Sequence, residues 1–395
     1  MSYVEASASS AVSRYVHTMS TTVLDPAQLR LSGAAIVYRL FDVGYAIDLS
    51  RALELLAASA PERVRPVRGE AQALQIRNPP VSVLLGTEAI LVHGRPHAIE
   101  LSARIFDFGV VSLRGRVSMP DGLSWSEYTR FGVAVDKHEV IPSIIEPHLH
   151  ALFDRITPAI ERPKVADVRE EYTVFRVSRA EHADGTPVRA EAIGTLDVVP
   201  LLLGESRPLS AEARRELLPH RFSYYEDDIA ILTWESALIV EPGEHDTDLQ
   251  YLLEFANAQL LELRYYDAIL DGELPQMYDA IAAARQKWSI FPGRRFAALL
   301  SRLHAVVGDT TELVEHVENA LKVTDDVYLA RVYSAALEIF RGRAWRSGID
   351  RKLAILRETY AMLNDEAQAD RSETLEIAIV VLIVAEIVLA LIRGK

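Results

Sequence analysis

From Leu375 to Ile392 the chain reads LEIAIVVLIVAEIVLALI, and only Arg393, Gly394 and Lys395 follow. At the helical rise such a run spans about 27 Å, close to the thickness of a bilayer's hydrocarbon core. A helix apolar on every face has to be buried in lipid or against other protein. Length and low charge favour lipid over a buried oligomerisation helix, so a single transmembrane helix over 375–392 is predicted. Two acids lie in the run, Glu376 at its edge and Glu386 inside it. A carboxylate at that depth costs several kcal/mol unless paired or protonated, and no basic residue shares the span. Glu386 therefore reads as a self-contact or ion-facing group in an oligomer, or else as a neutral, hydrated side chain. Glu376 belongs at the interface.

Upstream, Ile349, Leu353, Leu356, Tyr360, Leu363 and Ala367 recur at alternating spacings of four and three, a short heptad seam. No proline lies between 327 and 395, so one helix from 327 to 392 is expected, a stalk of roughly 100 Å. Arg341, Arg343, Arg346, Arg351, Lys352 and Arg357 form a basic group on it. They read as a site for an anionic partner, or as a solvated face balanced by Glu358, Asp365, Glu366 and Asp370.

The remainder is mixed. Residues 1–24 are rich in Ser, Ala and Thr without the apolar core of a secretory signal, which predicts a flexible tail. With no such signal, the bulk of the chain is expected to stay on the side where it was made, N-terminus inside. Residues 25–244 read as a mixed α/β domain. Within it GAAIVYRLF (33–41) is a strand, Asp48 and Ser50 open a helix, and HAIELSARIF (97–106) and FGVVSLRGRV (108–117) are neighbouring antiparallel strands. A helix over 139–156 is interrupted by Pro142 and Pro147. EYTVFRVSR (171–179) is a strand, and DIAILTW and SALIVEP make a hairpin over a tight turn. VYRLF…IDLSRALELL rhymes with YTVFRV…LDVVPLLL, which suggests a degenerate β-α-β-β repeat. A helical region over 245–323 holds one helix opened by Asp246–Asp248 and ended or bent at Gly272 and Pro275. Two more follow at 276–288 and about 295–322. The stalk occupies 324–374 and the membrane span 375–392. The fold class is thus α+β, an N-terminal mixed α/β domain followed by an all-helical region with a long C-terminal stalk helix.

Chemistry is sparse. The 395-residue chain has no cysteine, which removes disulfides, zinc–thiolate sites, iron–sulfur clusters and cysteine nucleophiles. A net charge of −14 argues against DNA as a partner. No phosphate-cradling glycine loop, G-x-S-x-G, H-E-x-x-H or dinucleotide fingerprint occurs. His148, His150 and Asp154 are the one ligand-like cluster. On a helix the two histidines diverge, so a solvated or capped pair is expected rather than a metal site. Glu226–Asp228 and Asp325–Asp326 read as loop and cap acids. No catalytic residue, metal or cofactor is assigned.

IFDFGVVSLRG (105–115), ANAQLLELRYYDAIL (256–270), TDDVYLARVYSAALEI (324–339) and LEIAIVVLIVAEIVLAL (375–391) together resemble the "required for meiotic nuclear division" family, over roughly residues 95–392. These are tail-anchored membrane proteins built around a domain of unknown function. The resemblance implies no established catalysis. It implies a place in a bacterial cytoplasmic membrane, or in the mitochondrial inner membrane, where organelle members are linked to support of translation. The N-terminus departs from it. The expected function is a non-enzymatic, tail-anchored scaffold that forms a homo-oligomer through its stalk, with the lipid bilayer and a cytoplasmic protein as partners. Two alternatives stand beside it. One is an oligomeric ion channel or transporter using Glu386, similar in its order of elements to CorA-type magnesium channels but lacking a Gly-Met-Asn loop and a second span. The other is a membrane-tethered enzyme.

Overall fold

The strand β1 (Leu29–Asp42) is buried on both faces almost throughout, and this dictates the architecture. Its side chains alternate between two cores. Ala35, Val37 and Phe41 enter one, while Ala34, Ile36, Tyr38 and Leu40 enter the other. A strand apolar on both sides needs a layer on each face. The computed structural model describes residues 24–63, 74–76, 78–243, 247–286, 300–308, 310–311, 321–323 and 327–393.

The strands after β1 are β2 (Ala46–Ile47), β3 (Glu62–Arg63), β4 (Leu74–Ile76), β5 (Val81–Val92), β6 (Arg95–Ile105) and β7 (Val110–Ser118). Then come β8 (Ile160–Glu161), β9 (Arg169–His182), β10 (His220–Phe222), β11 (Ile229–Leu232), β12 (Ser236–Val240) and β13 (Leu321–Val323). Nine of them form one sheet in the order β10-β11-β12-β9-β1-β7-β6-β5-β3. The pairs are antiparallel apart from β9–β12.

On one face lie α1 (Leu49–Leu55), α2 (Trp125–Asp136), α3 (Ile141–Ile156), α4 (Ala190–Gly194), α5 (Val199–Leu202) and α6 (Ala211–Leu217). Asp48 caps α1 by accepting from the backbone N–H of Ser50 and Arg51. In α3, Ile141, Ile145, Leu149, Leu152 and Ile156 make one buried stripe at spacings of three and four. On the other face α7 (Asp248–Gln286), α8 (Val327–Ile339) and α9 (Gly342–Arg393) enclose the second core.

Several expectations need correction. Pro142 lies in the first turn of α3, where no intrahelical N–H is required, and the helix passes through Pro147 unbroken. Likewise α7 continues through Gly272 and Pro275, because Met277 and Ile281 prolong its buried face. Residues 300–308 are helical, but 321–323 pair as a strand with β4. The stalk is not one helix from 327, since Arg341 takes a left-handed backbone (φ +51°) between α8 and α9. The β-α-β-β repeat also fails: β7 lies antiparallel to β1, whereas β12 lies parallel to β9. The predicted tail over 1–24 falls outside the described residues except for Leu24.

The membrane expectation is overturned as well. Among the described residues, no helix is long and apolar enough to cross a membrane. Between Glu376 and Glu386 the uninterrupted apolar run is nine residues, about 14 Å at the helical rise, against roughly 30 Å of hydrocarbon. The transmembrane helix over 375–392, the tail-anchored scaffold, its channel and tethered-enzyme variants, and the bacterial or mitochondrial inner-membrane location all go with that finding. So does the final element of the predicted fold class.

Candidate functional site

The most unusual chemistry is at the C-terminal end of β1, where Asp42 lies 2% exposed on the face toward α7. Backbone bonds stitch the segment around residues 161–166 against this end. Lys164 N–H donates to Val43 O (3.0 Å), Ala166 N–H to Asp42 O (2.9 Å) and Tyr45 N–H to Glu161 O (2.9 Å). That seam brings Arg162 and Lys164 beside β1. It requires glycine below it: a Cβ at Gly109 (φ +91°) would stand 1.9 Å from Gly44 O. At Gly44 a Cβ would meet Ile160 Cγ2 at 2.4 Å.

The second half comes from α7. Glu262, Tyr265, Tyr266 and Ile269 fall at i, i+3, i+4 and i+7, one face of a helix. Glu262 is 2% exposed and meets Asp42. Between the layers opens a cavity of about 220 Å³ whose wall includes Tyr45, Arg162, Lys164, Tyr265, Tyr266 and Ile269. Arg162 stacks on the Tyr45 ring (4.7 Å to its centroid) and holds a left-handed backbone, φ +52°. Strain of this sort is retained where surrounding structure over-determines it, often at sites.

Electrostatically, the two carboxyls share a buried space. Asp42 Oδ1 and both oxygens of Glu262 find no hydrogen-bond donor among the described residues. Two ionised carboxylates in contact would each lack a donor, so one proton between them is the arrangement that satisfies both. Burial pushes Asp42 up to about 7, against partial relief from the bond with Glu262, the Gly44 backbone and the charge of Lys164. Burial and the neighbouring Asp42 raise Glu262 well above the usual carboxylate range. Burial, with the charges of Asp42 and Glu262, pushes the Tyr265 phenol up to about 12, and Tyr266 is raised by burial and the same charges. Hence the cavity has a cationic side, aromatic walls and a protonatable pair behind those walls rather than in them.

The residues singled out from sequence lie elsewhere. Ile349, Leu353, Leu356 and Leu363 are buried in the second core with Tyr360 packed against it, so the heptad seam is covered within the chain itself. From the basic group, Lys352 reaches α7, with Nζ 2.7 Å from Asp267 and 2.6 Å from Asp271. Arg346 pairs with Asp350 and Arg357 donates to Thr311 Oγ1. Glu376 and Glu386 are exposed on α9. His148 faces Glu88 at 3.6 Å, while His150 and Asp154 are exposed. Among the described residues no group of three metal-ligating side chains occurs. Asp228 Oδ1 accepts from Tyr224 N–H, a loop role, and Asp325–Asp326 lie outside the described residues. Asp42 and Glu262 escaped notice, although each is an acid set in an apolar run, RLFDVG and QLLELRYY.

Residues 32–247 match the family model described as "Uncharacterized protein MJ0711, N-terminal domain". Over 242 residues the chain is 25% identical to "Uncharacterized protein MJ0711" of Methanocaldococcus jannaschii, covering 61% of this chain and 72% of that protein. No solved structure matches. These findings replace the resemblance to the meiotic nuclear division family, which neither match supports.

Proposed function

Since the chain belongs to the family of the MJ0711 N-terminal domain, which supplies Asp42, Tyr45, Arg162 and Lys164, we propose that it is a non-enzymatic receptor for a small organic anion. The matched segment ends just before α7, so the receptor site joins the family domain to the helices that follow. One observation carries the reading: the 220 Å³ cavity sets two cations against three tyrosines and an isoleucine. Arg162 and Lys164 neutralise an acid group, and Tyr265, Tyr266 and Ile269 cover an apolar or aromatic body. The buried carboxyls stand behind the tyrosines, which favours binding over acid–base chemistry on a ligand. A volume of this size suits a single-ring or short-chain acid, being below the roughly 300 Å³ at which sites for drug-sized ligands begin.

Calorimetric titration with benzoate and phenyl phosphate, with benzyl alcohol as the neutral counterpart, tests this. The acids are expected to bind saturably, the alcohol not. Lys164→Met is expected to weaken the acids about tenfold or more, the value of one lost charge-assisted hydrogen bond. Equal binding of alcohol and acid, or unaltered affinity in Lys164→Met, sinks the proposal.

A further inference from the structure

A second, larger cavity of about 390 Å³ opens at the start of β9, with Arg264 of α7 in its wall. It lies between the end of α2, the turn over 201–204, the start of β9 and the Trp234–Ser236 turn. Arg39 on β1 forms its floor with a side chain only 10% exposed. Buried guanidinium groups normally satisfy most of their donors. Here Nη1 donates to Tyr38 O at 3.1 Å, and Nε lies 3.3 Å from Glu171 Oε1 but out of hydrogen-bond alignment. Glu171 is shared, since Arg169 Nε is 3.6 Å from the same oxygen. One exposed carboxylate thus serves two guanidiniums, and Arg39 keeps donor capacity for an incoming oxyanion. Lys137 reaches the same space across Gly204, where a Cβ would stand 2.5 Å from its Nζ.

The anion is not alone. Asp136 and Glu235 line the cavity without an ion pair among the described residues, and Glu170 is already held by Arg264. Four cations and four acids therefore face the cleft, which disfavours a multiply charged phosphate and suits a ligand carrying both signs. Leu201, Leu203 and the half-exposed Trp234 supply an apolar side.

We propose that this cleft is a second ligand site, taking a zwitterionic amino acid with its carboxylate on Arg39 and its ammonium toward Asp136 and Glu235. Calorimetry on the full chain, with each proteinogenic amino acid and with inorganic phosphate, tests it. At least one amino acid is expected to bind saturably, and its deaminated and decarboxylated analogues are not. Arg39→Lys keeps the charge but loses the planar fork, and is expected to weaken binding about tenfold or more. The surface change Glu235→Gln is expected to do the same with an unchanged melting temperature. Lys164→Met, in the first cavity, is expected to leave this affinity alone. The proposal is overturned if no amino acid binds, if phosphate or the deaminated acid binds as well, if Glu235→Gln has no effect, or if Lys164→Met abolishes binding while Arg39→Lys does not.

Discussion

Asp42 and Glu262 make the stability of this protein a function of pH. Folding raises both pKa values, so above about pH 4 the folded chain holds protons that the unfolded chain has released, in the case of Asp42 up to about pH 7. The stabilisation is complete below the unfolded values and is lost as pH rises through the folded ones. For Asp42 alone, a rise from 3.8 to about 7 amounts to roughly 4 kcal/mol at about 1.4 kcal/mol per pH unit. Thermal melts of the wild type are therefore expected to fall in midpoint from about pH 5 to about pH 8. Glu262→Gln places an amide donor beside Asp42 and should flatten that slope, with a midpoint several degrees above wild type at the alkaline end. Parallel slopes for the two proteins would refute the shared proton. At Arg162 the left-handed backbone costs about 1 kcal/mol for a non-glycine residue. Arg162→Gly is expected to raise the melting temperature slightly while weakening benzoate binding, a trade that an ordinary surface arginine would not show. The sequence displays both acids inside apolar runs. It does not display that they meet, because most of the family domain lies between them.

Elements build the site through close backbone approach. Gly109→Ala puts a methyl group 1.9 Å from Gly44 O, at a φ that side chains avoid. The expected outcome is a loss of at least about 3 kcal/mol in denaturant unfolding, together with loss of anion binding. Wild-type stability for this variant would mean that the Gly44–Gly109 contact does not support the cavity floor. Lys352 joins α9 to α7 at Asp267 and Asp271, just beyond Tyr265 and Tyr266. Burial works against its charge, but its bonds to Asp267 and Asp271 outweigh that and hold the ammonium above its ordinary pKa. Local signals were readable at this scale. The Asp48 cap, the β6–β7 pairing about residue 107 and the β11–β12 hairpin all follow from turn and cap chemistry within a few residues. Helix ends were not. Pro147 and Pro275 sit in helices whose buried stripes continue past them, and packing there outweighs a local cost of about 3 kcal/mol.

At the scale of the whole molecule, one nine-stranded sheet carries two cores, and α9 belongs to the second of them through Ile349, Leu353, Leu356 and Leu363. Beyond it the helix exposes Ile379, Val380, Val381, Leu382, Ile383, Val384, Ile387 and Leu389. Truncation after Asp370 is expected to leave the melting temperature and anion affinity of the full chain intact. Truncation after Arg341 strips the cover from α7 and is expected to abolish cooperative unfolding. If both truncations melt like the full chain, α9 is not part of the core. By itself the sequence determined where apolar stripes, caps and hairpins lie, since these are properties of neighbours along the chain. It also excluded every cysteine-based chemistry. Only the tertiary structure decided what each stripe faces. The heptad seam looked outward for a partner and lies on the chain's own α7, and two acids 220 residues apart in number became one proton-sharing pair. Periodicity reports that a face must be covered, whereas the identity of the cover depends on how distant segments pack.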